Sequence, residues 1–86
     1  MPRFYFDVRE GTRFSPDDEG LDYRDLDEAE RVAAETAASI GRELLPRGDI
    51  REVMVEVRNE HKQRVLTATV TLQSERVYPS PPQPER

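Results

Sequence analysis

Residues 51–58 read Arg51-Glu52-Val53-Met54-Val55-Glu56-Val57-Arg58, and residues 64–72 read Arg64-Val65-Leu66-Thr67-Ala68-Thr69-Val70-Thr71-Leu72. In the first run Val53, Val55 and Val57 alternate with Glu52, Met54, Glu56 and Arg58, the period of a half-buried strand. In the second, Leu66, Ala68, Val70 and Leu72 share one face, and Val65, Thr67, Thr69 and Thr71 share the other. The polar link Asn59-Glu60-His61-Lys62-Gln63 is short enough to close a hairpin.

The same period appears at the start of the chain. Phe4, Phe6 and Val8 point one way and Arg3, Tyr5, Asp7 and Arg9 the other, with a turn at Glu10-Gly11 and a short return over Thr12-Arg13-Phe14 that ends at Ser15-Pro16. Between the two hairpins the period changes. Asp25 with Glu28 forms a capping box, and Leu26, Ala29, Ala33, Ala37, Ile40 and Leu44 make one helical stripe opposite Glu28, Arg31, Glu35 and Arg42. The pattern predicts one amphipathic helix over about residues 26–45, closed by Pro46 and Gly48. Gly41 sits near its end as a weak point in helix propensity.

The order is ββαββ: a small two-layer α+β domain, a mainly antiparallel sheet with the helix packed on one face. It spans residues 1–74. Residues 75–86 read as a proline-rich, disordered tail favouring extended polyproline II. The strand order within the sheet is left open by these patterns.

Composition narrows the function classes. Apolar residues are 35% and charged residues 36% of 86, a lean supply for one core. Without cysteine there is neither a disulfide nor a thiolate metal site. No signal-peptide h-region opens the chain and no apolar run is long enough to span a bilayer, so the expected setting is the cytoplasm. The net charge of −5 is uneven: residues 10–30 hold nine acidic side chains against Arg13 and Arg24.

Asp18-Glu19-Gly20 before the helix, Asp25-Leu26-Asp27-Glu28-Ala29 at its start, the opening Met1-Pro2-Arg3-Phe4-Tyr5-Phe6-Asp7-Val8-Arg9-Glu10-Gly11, and Val55-Glu56-Val57-Arg58-Asn59-Glu60 occur in this order and spacing. Together they resemble a family of short alphaproteobacterial proteins classed as a domain of unknown function. That family usually has a tighter Asp-Gly turn between its last strands, where this chain has Asn59 to Gln63. The resemblance implies a bacterial, cytoplasmic protein. It brings no activity, substrate or catalytic residue with it.

No catalytic constellation is legible, and none is expected. His61 lies in a polar loop between Glu60 and Lys62, with no orienting partner in sight. The serines stand beside proline, within the helix or in the tail, and the glycines are scattered, so neither a triad nor a phosphate loop is spelled out. The loop Asp17-Asp18-Glu19-Gly20-Leu21-Asp22 invites a Ca²⁺ reading but lacks EF-hand spacing, because its glycine is fourth rather than sixth. Its carboxylates are expected to be solvated charge, and no metal or cofactor is expected.

A surface remains. The candidate interaction face comprises Arg3, Tyr5, Arg9, Met54, Arg58, Val65, Thr67 and Thr69. Its arginines would suit single-stranded nucleic acid, but it has one aromatic, shares its face with Asp7, Glu52 and Glu56, and belongs to an acidic chain. Nucleic acid is therefore disfavoured. The leading expectation is a non-enzymatic interaction or accessory module that contacts another protein or forms a homodimer. The alternative is a nucleic-acid-linked regulator laid out like small antitoxin or RNA-binding domains, which rests on fold analogy.

Overall fold

A computed structural model of the chain describes residues 1–78; the expected tail from 79 onward lies outside the described residues. Its elements are β1 (Arg3–Glu10), β2 (Arg13–Ser15), β3 (Leu21–Asp22), α1 (Leu26–Leu44), a 3-10 turn (Leu45–Arg47), β4 (Glu52–Arg58) and β5 (Arg64–Thr71). The strands form one antiparallel sheet in the order β2-β1-β4-β5, with β3 also pairing to β1. This is the expected α+β layout with one strand added. The two-residue β3 is too short to carry any alternation of its own.

The helix explains how so lean a chain finds a core. Ala29, Ala33 and Ala37 are fully buried, and Gly41 continues their spacing of four. These small residues let α1 lie close over β4 and β5, where Val53, Val55 and Val57 are fully buried. Gly41 is a point of close approach between the two layers. A Cβ built there would stand 3.0 Å from Val70 Cγ1 and 3.2 Å from Leu45 Cδ1. The glycine read as a weak point in the helix is a packing contact.

Two further assignments change. Leu26 belongs to the predicted stripe but is 39% exposed. The aromatic cover of the first strand comes from Tyr23, whose ring stacks on Phe6 (centroids 5.5 Å apart, planes at 2°) and lies against Phe4 at 6.2 Å. The Tyr23 N–H donates to the Pro2 carbonyl at 3.0 Å, which ties the approach to the helix onto the start of β1. Burial raises the Tyr23 hydroxyl above its ordinary pKa, and the negative charges of Asp17 and Glu28 act in the same direction.

At the helix start the Glu28 N–H donates to Asp25 Oδ1 at 2.9 Å, as a cap requires. The reciprocal bond differs slightly from the expected box: Glu28 Oε1 accepts from Arg24 N–H at 2.7 Å, one residue before the cap. The β4–β5 link is organised by Asn59. Its side-chain oxygen accepts from the N–H groups of His61 and Gln63, and its backbone N–H donates to the Gln63 carbonyl. His61 is exposed on this turn.

Gly20 provides a sharp test of the geometry. Its φ is +70°, and a Cβ there would stand 2.8 Å from the Phe4 carbonyl oxygen. Gly20→Ala combines a left-handed backbone with a clash against main chain that cannot swing away, so it should destabilise by about 1–3 kcal/mol. The check is thermal unfolding, where a loss of this size lowers the midpoint by roughly 4–8 °C per kcal/mol in a domain of this length. An unchanged midpoint would contradict the packing of this loop on β1.

Candidate interaction site

The face of the sheet away from α1 is organised around two facing acids. Asp7 of β1 and Glu56 of β4 are direct cross-strand partners, and both are buried, at 5% and 4% exposure. Like charges placed opposite each other repel, and burial adds a desolvation cost. The balance comes from arginines two positions away on the opposite strands. Arg58 of β4 grips Asp7 with two hydrogen bonds, Nε to Oδ2 at 2.7 Å and Nη2 to Oδ1 at 3.1 Å. Arg9 of β1 reaches Glu56 at 3.3 Å, and Arg64 of β5 reaches the other oxygen of Glu56 at 3.1 Å. The two diagonals run parallel across the β1–β4 seam with their charges reversed, the acid on β1 in one and on β4 in the other.

Arg64 attains this position through a bulge. Val57 pairs with Leu66 and Arg58 with Arg64, leaving Val65 as the extra residue of β5. Strict alternation would have put Arg64 on the core side with Leu66. Aromatic faces finish the arginine contacts: Arg58 lies 5.0 Å over the Tyr5 ring and Arg9 4.6 Å over Phe14.

The loop after β2 docks onto this network through Asp17. Its Oδ2 accepts from Phe6 N–H at 3.0 Å, and its Oδ1 accepts from Glu19 and Gly20 N–H, both at 3.1 Å. The backbone of Asp17 is used as well, its N–H donating to Asp7 Oδ1 at 2.9 Å and its carbonyl accepting from Arg58 at 2.9 Å. Asp17 was expected to be solvated charge. The correction has a simple cause: β2 pairs with residues 8–10 of β1 and β3 with residues 3–4, and the Phe6 N–H lies in the gap between them. The Asp17 carboxylate closes that gap. Asp18 and Glu19 remain exposed, while Asp22 pairs with Arg3 at 3.1 Å. Among the described residues no group of three or more His, Cys, Asp or Glu is placed to hold a metal ion.

Of the candidate face, Tyr5, Arg9 and Arg58 lie on the strands of this network, with Met54 next to it as cross-strand partner of Arg9 and Thr69. Thr67 is the partner of Glu56 and is exposed with Thr69 on β5; Val65 is the bulge residue. Arg3 stands apart as a clamp on the acidic loop, bonded to Asp22 and to the Glu19 carbonyl at 2.8 Å. The arginines are thus engaged within the domain. Asp7, Glu56 and Asp17, which hold them, were not among the candidates. The available signal was the diagonal spacing of Asp7 and Arg9 against Glu56 and Arg58, which becomes readable only once β1 is known to pair with β4.

A family model described as a domain of unknown function (DUF6894) matches residues 3–71, from the first residue of β1 to the last of β5. The chain belongs to this family. No curated protein and no solved structure matches it. The match covers every strand and the helix, so the ion network and the loop carrying Asp17 lie within the family's domain. No helix among the described residues is long and apolar enough to cross a membrane.

Two carboxyls carry the acid response. Burial pushes the Asp7 carboxyl up, but the Arg58 hydrogen bonds, the Asp17 N–H and the charges of Arg58 and Arg64 outweigh it and leave the carboxyl below its usual range. For Asp17 burial also raises, and the N–H groups of Phe6, Gly20 and Glu19 again win, leaving it lowered. A carboxyl lowered by folding stabilises fully above its unfolded value of about 3.9, and that stabilisation is lost as pH falls through the folded value. Thermal midpoints should therefore hold at neutral pH and fall below about pH 4, with a shallower acid slope in Asp17→Asn.

Removing the acceptor altogether should be worse. Asp17→Ala strands three backbone donors and should cost about 2–3 kcal/mol, whereas Asp18→Ala should stay within about 0.5 kcal/mol of wild type. Equal effects in denaturant titrations would show that Asp17 is solvated after all.

Proposed function

We propose that this domain is a small, non-enzymatic interaction module that binds another protein, or a second copy of itself, through the outer edge of β5 and the threonines beside it. One observation carries the reading. Residues 65–72 contain no charged side chain, no proline and no glycine, in a chain that is 36% charged, and among the described residues nothing pairs with the outer edge of their strand. Sheet edges are ordinarily protected by charge, proline or brevity, because a row of free N–H and C=O groups recruits further strands. The opposite edge has such protection: β2 and β3 are three and two residues long, the Asp17 carboxylate fills the gap between them, and the Arg3–Asp22 pair puts charge on β3 itself.

Strand addition draws its affinity from main-chain hydrogen bonds and its specificity from alternate side chains. Thr67, Thr69 and Thr71 suit that mode, and the exposed Val65 and Leu72 add apolar area at either end. The engaged arginines of the neighbouring face favour a binding platform over chemistry, since each is held by Asp7, Glu56 or the Asp17 carbonyl. The same engagement weakens the case for nucleic acid, which needs cations free to meet phosphates. A cysteine-free, highly charged chain suits a reducing bacterial cytoplasm. The reading requires no cofactor.

The experiment compares wild type with Val65→Lys/Thr67→Lys, which places charge on the edge strand without touching the buried valines. Wild type immobilised in a lysate of its native host should retain a defined protein that the doubly substituted chain loses, at an unchanged thermal midpoint. Equal retention by both would remove β5 as the binding element. Retention of nucleic acid instead, weakening steeply with added salt, would favour the regulator reading.

A further inference from the structure

We infer that the partner of the β5 edge is a second copy of this chain, joined by antiparallel β5–β5 pairing about a two-fold axis at Thr69, with the two α1 helices packed across the seam. The inference rests on the edge being the interaction element, and it adds the occupant and the register.

Neighbouring strands lie about 4.8 Å apart. Helix α1 packs on β4 and β5 alike, so it lies roughly half a strand spacing inside β5. A two-fold axis that pairs β5 with its copy would lie half a spacing outside β5. Each helix axis is then about one strand spacing from the two-fold axis, and the two helices are about 9.6 Å apart. Packed helices sit about 8–10 Å apart. Extending the sheet by self-pairing therefore brings the helices to contact distance on one face, without collision and without a gap.

A two-fold axis perpendicular to the sheet keeps each side chain on its own face, so paired residues must have the same parity. Centring on Thr69 pairs Leu66 with Leu72 and Ala68 with Val70 on the helix side, and Thr67 with Thr71 on the open side. The arrangement covers Leu72, which is 54% exposed in the single chain.

The helix gives a register of its own. Tyr23 packs on Phe6 at one end of the domain, and Gly41 lies against Val70 at the other, so α1 runs in the same direction as β5. Stepping back from Val70 to Thr69 is about 3.3 Å along the strand, or about two residues along a helix that rises 1.5 Å per residue. The helix pair is then centred near Ser39. The two-fold axis makes the helices antiparallel, so Ala38 faces Ser39 of the copy and Glu35 faces Arg42 of the copy, twice. Glu35, Ala38, Ser39 and Arg42 line one shallow groove on the outside of α1, and Ala38 and Arg42 also line the groove that opens between α1 and the end of β5. Glu35 pairs in the single chain with the exposed Arg31 one turn back, at 3.3 Å, a surface contact it would share with or exchange for Arg42 of the copy. Small residues meet at the centre and opposite charges at the flanks. A register centred on Ala68 would shift the helix pair by about two residues and set Arg31 near Arg42 of the copy, a like-charge contact.

The test is sedimentation velocity on the full chain from about 1 μM to about 1 mM, the range in which transient interfaces populate. Wild type should sediment as a dimer in equilibrium with monomer. Thr69→Lys sets two cations on the two-fold axis and should yield monomer with an unchanged circular dichroism spectrum. Glu35→Arg and Arg42→Glu lie on the exposed helix surface and should each raise the dimer dissociation constant roughly tenfold or more, in the range of close charge pairs at interfaces. The Glu35→Arg/Arg42→Glu double substitution should restore it, and this rescue is specific to the stated register. A wild type that stays monomeric throughout overturns self-pairing while leaving the β5 edge open to a foreign strand. A dimer that survives Thr69→Lys, or one in which the charge exchange fails to rescue, places the interface elsewhere and overturns the inference.

Discussion

Two carboxylates, Asp7 and Glu56, face each other across the central strand pair, and the arrangement of the sheet follows from how they are neutralised. Each is bound by an arginine two residues along the opposite strand, Asp7 by Arg58 and Glu56 by Arg9. Sliding β1 against β4 by two residues would preserve the inside-outside alternation, so the valines and phenylalanines alone do not forbid it. Slid one way, Asp7 would face Met54 and Glu56 would face Tyr5, leaving buried charge out of reach of its guanidinium, which costs more than the pair itself contributes. Slid the other way, Asp7 would face Arg58 and Glu56 would face Arg9, so the ion pairs oppose the slide in the first sense only. The apolar pattern selects the face, and the charged pattern excludes one of the two neighbouring registers. Arg64, brought over by the bulge at Val65, extends the same control to β5.

The elements that were legible in the sequence are those with a period. The alternation over 3–9, 51–58 and 64–72 and the helical stripe over 26–45 carried enough repeats to define β1, β4, β5 and α1, and the Asp25 cap marked the start of the helix. What was hidden depends on contacts between distant segments. Tyr23 lies outside every periodic run, yet it supplies the aromatic cover for Phe4 and Phe6. Leu26 lies inside a periodic run, yet it is exposed at the start of the helix. Gly41 reads as a helix weakness in one dimension and as a contact with Val70 once the second layer is present.

The acidic stretch shows why a charge pattern is weaker evidence than a hydrophobic one. Asp17, Asp18 and Glu19 are chemically alike and adjacent, and local propensity gives no reason to separate them. Asp17 is distinguished by the gap between β3 and β2 on β1, a property of the sheet rather than of the loop. One carboxylate there substitutes for the main-chain acceptor that a continuous strand would have offered Phe6. The candidate face was affected in the same way. Placing Asp7 and Glu56 on the outward side of alternating strands predicts exposure, and only the paired arginines and the docked loop make them buried.

The two edges of the sheet are built to opposite specifications, and the difference bears on function more directly than the arginine face does. On the β1 side, the exposed main chain is divided between two very short strands, a carboxylate and an arginine clamp, so no long row of donors and acceptors is presented. On the β5 side, an eight-residue strand whose last seven side chains are uncharged ends the sheet with no covering element among the described residues. A chain that can protect one edge with such economy, and that places charge at more than a third of its positions, has the means to protect the other. Leaving β5 bare exposes it to indiscriminate pairing. That exposure is tolerable where a specific partner occupies the edge, and a small domain with little core of its own gains most from a partner that also lengthens its sheet and doubles its helical layer.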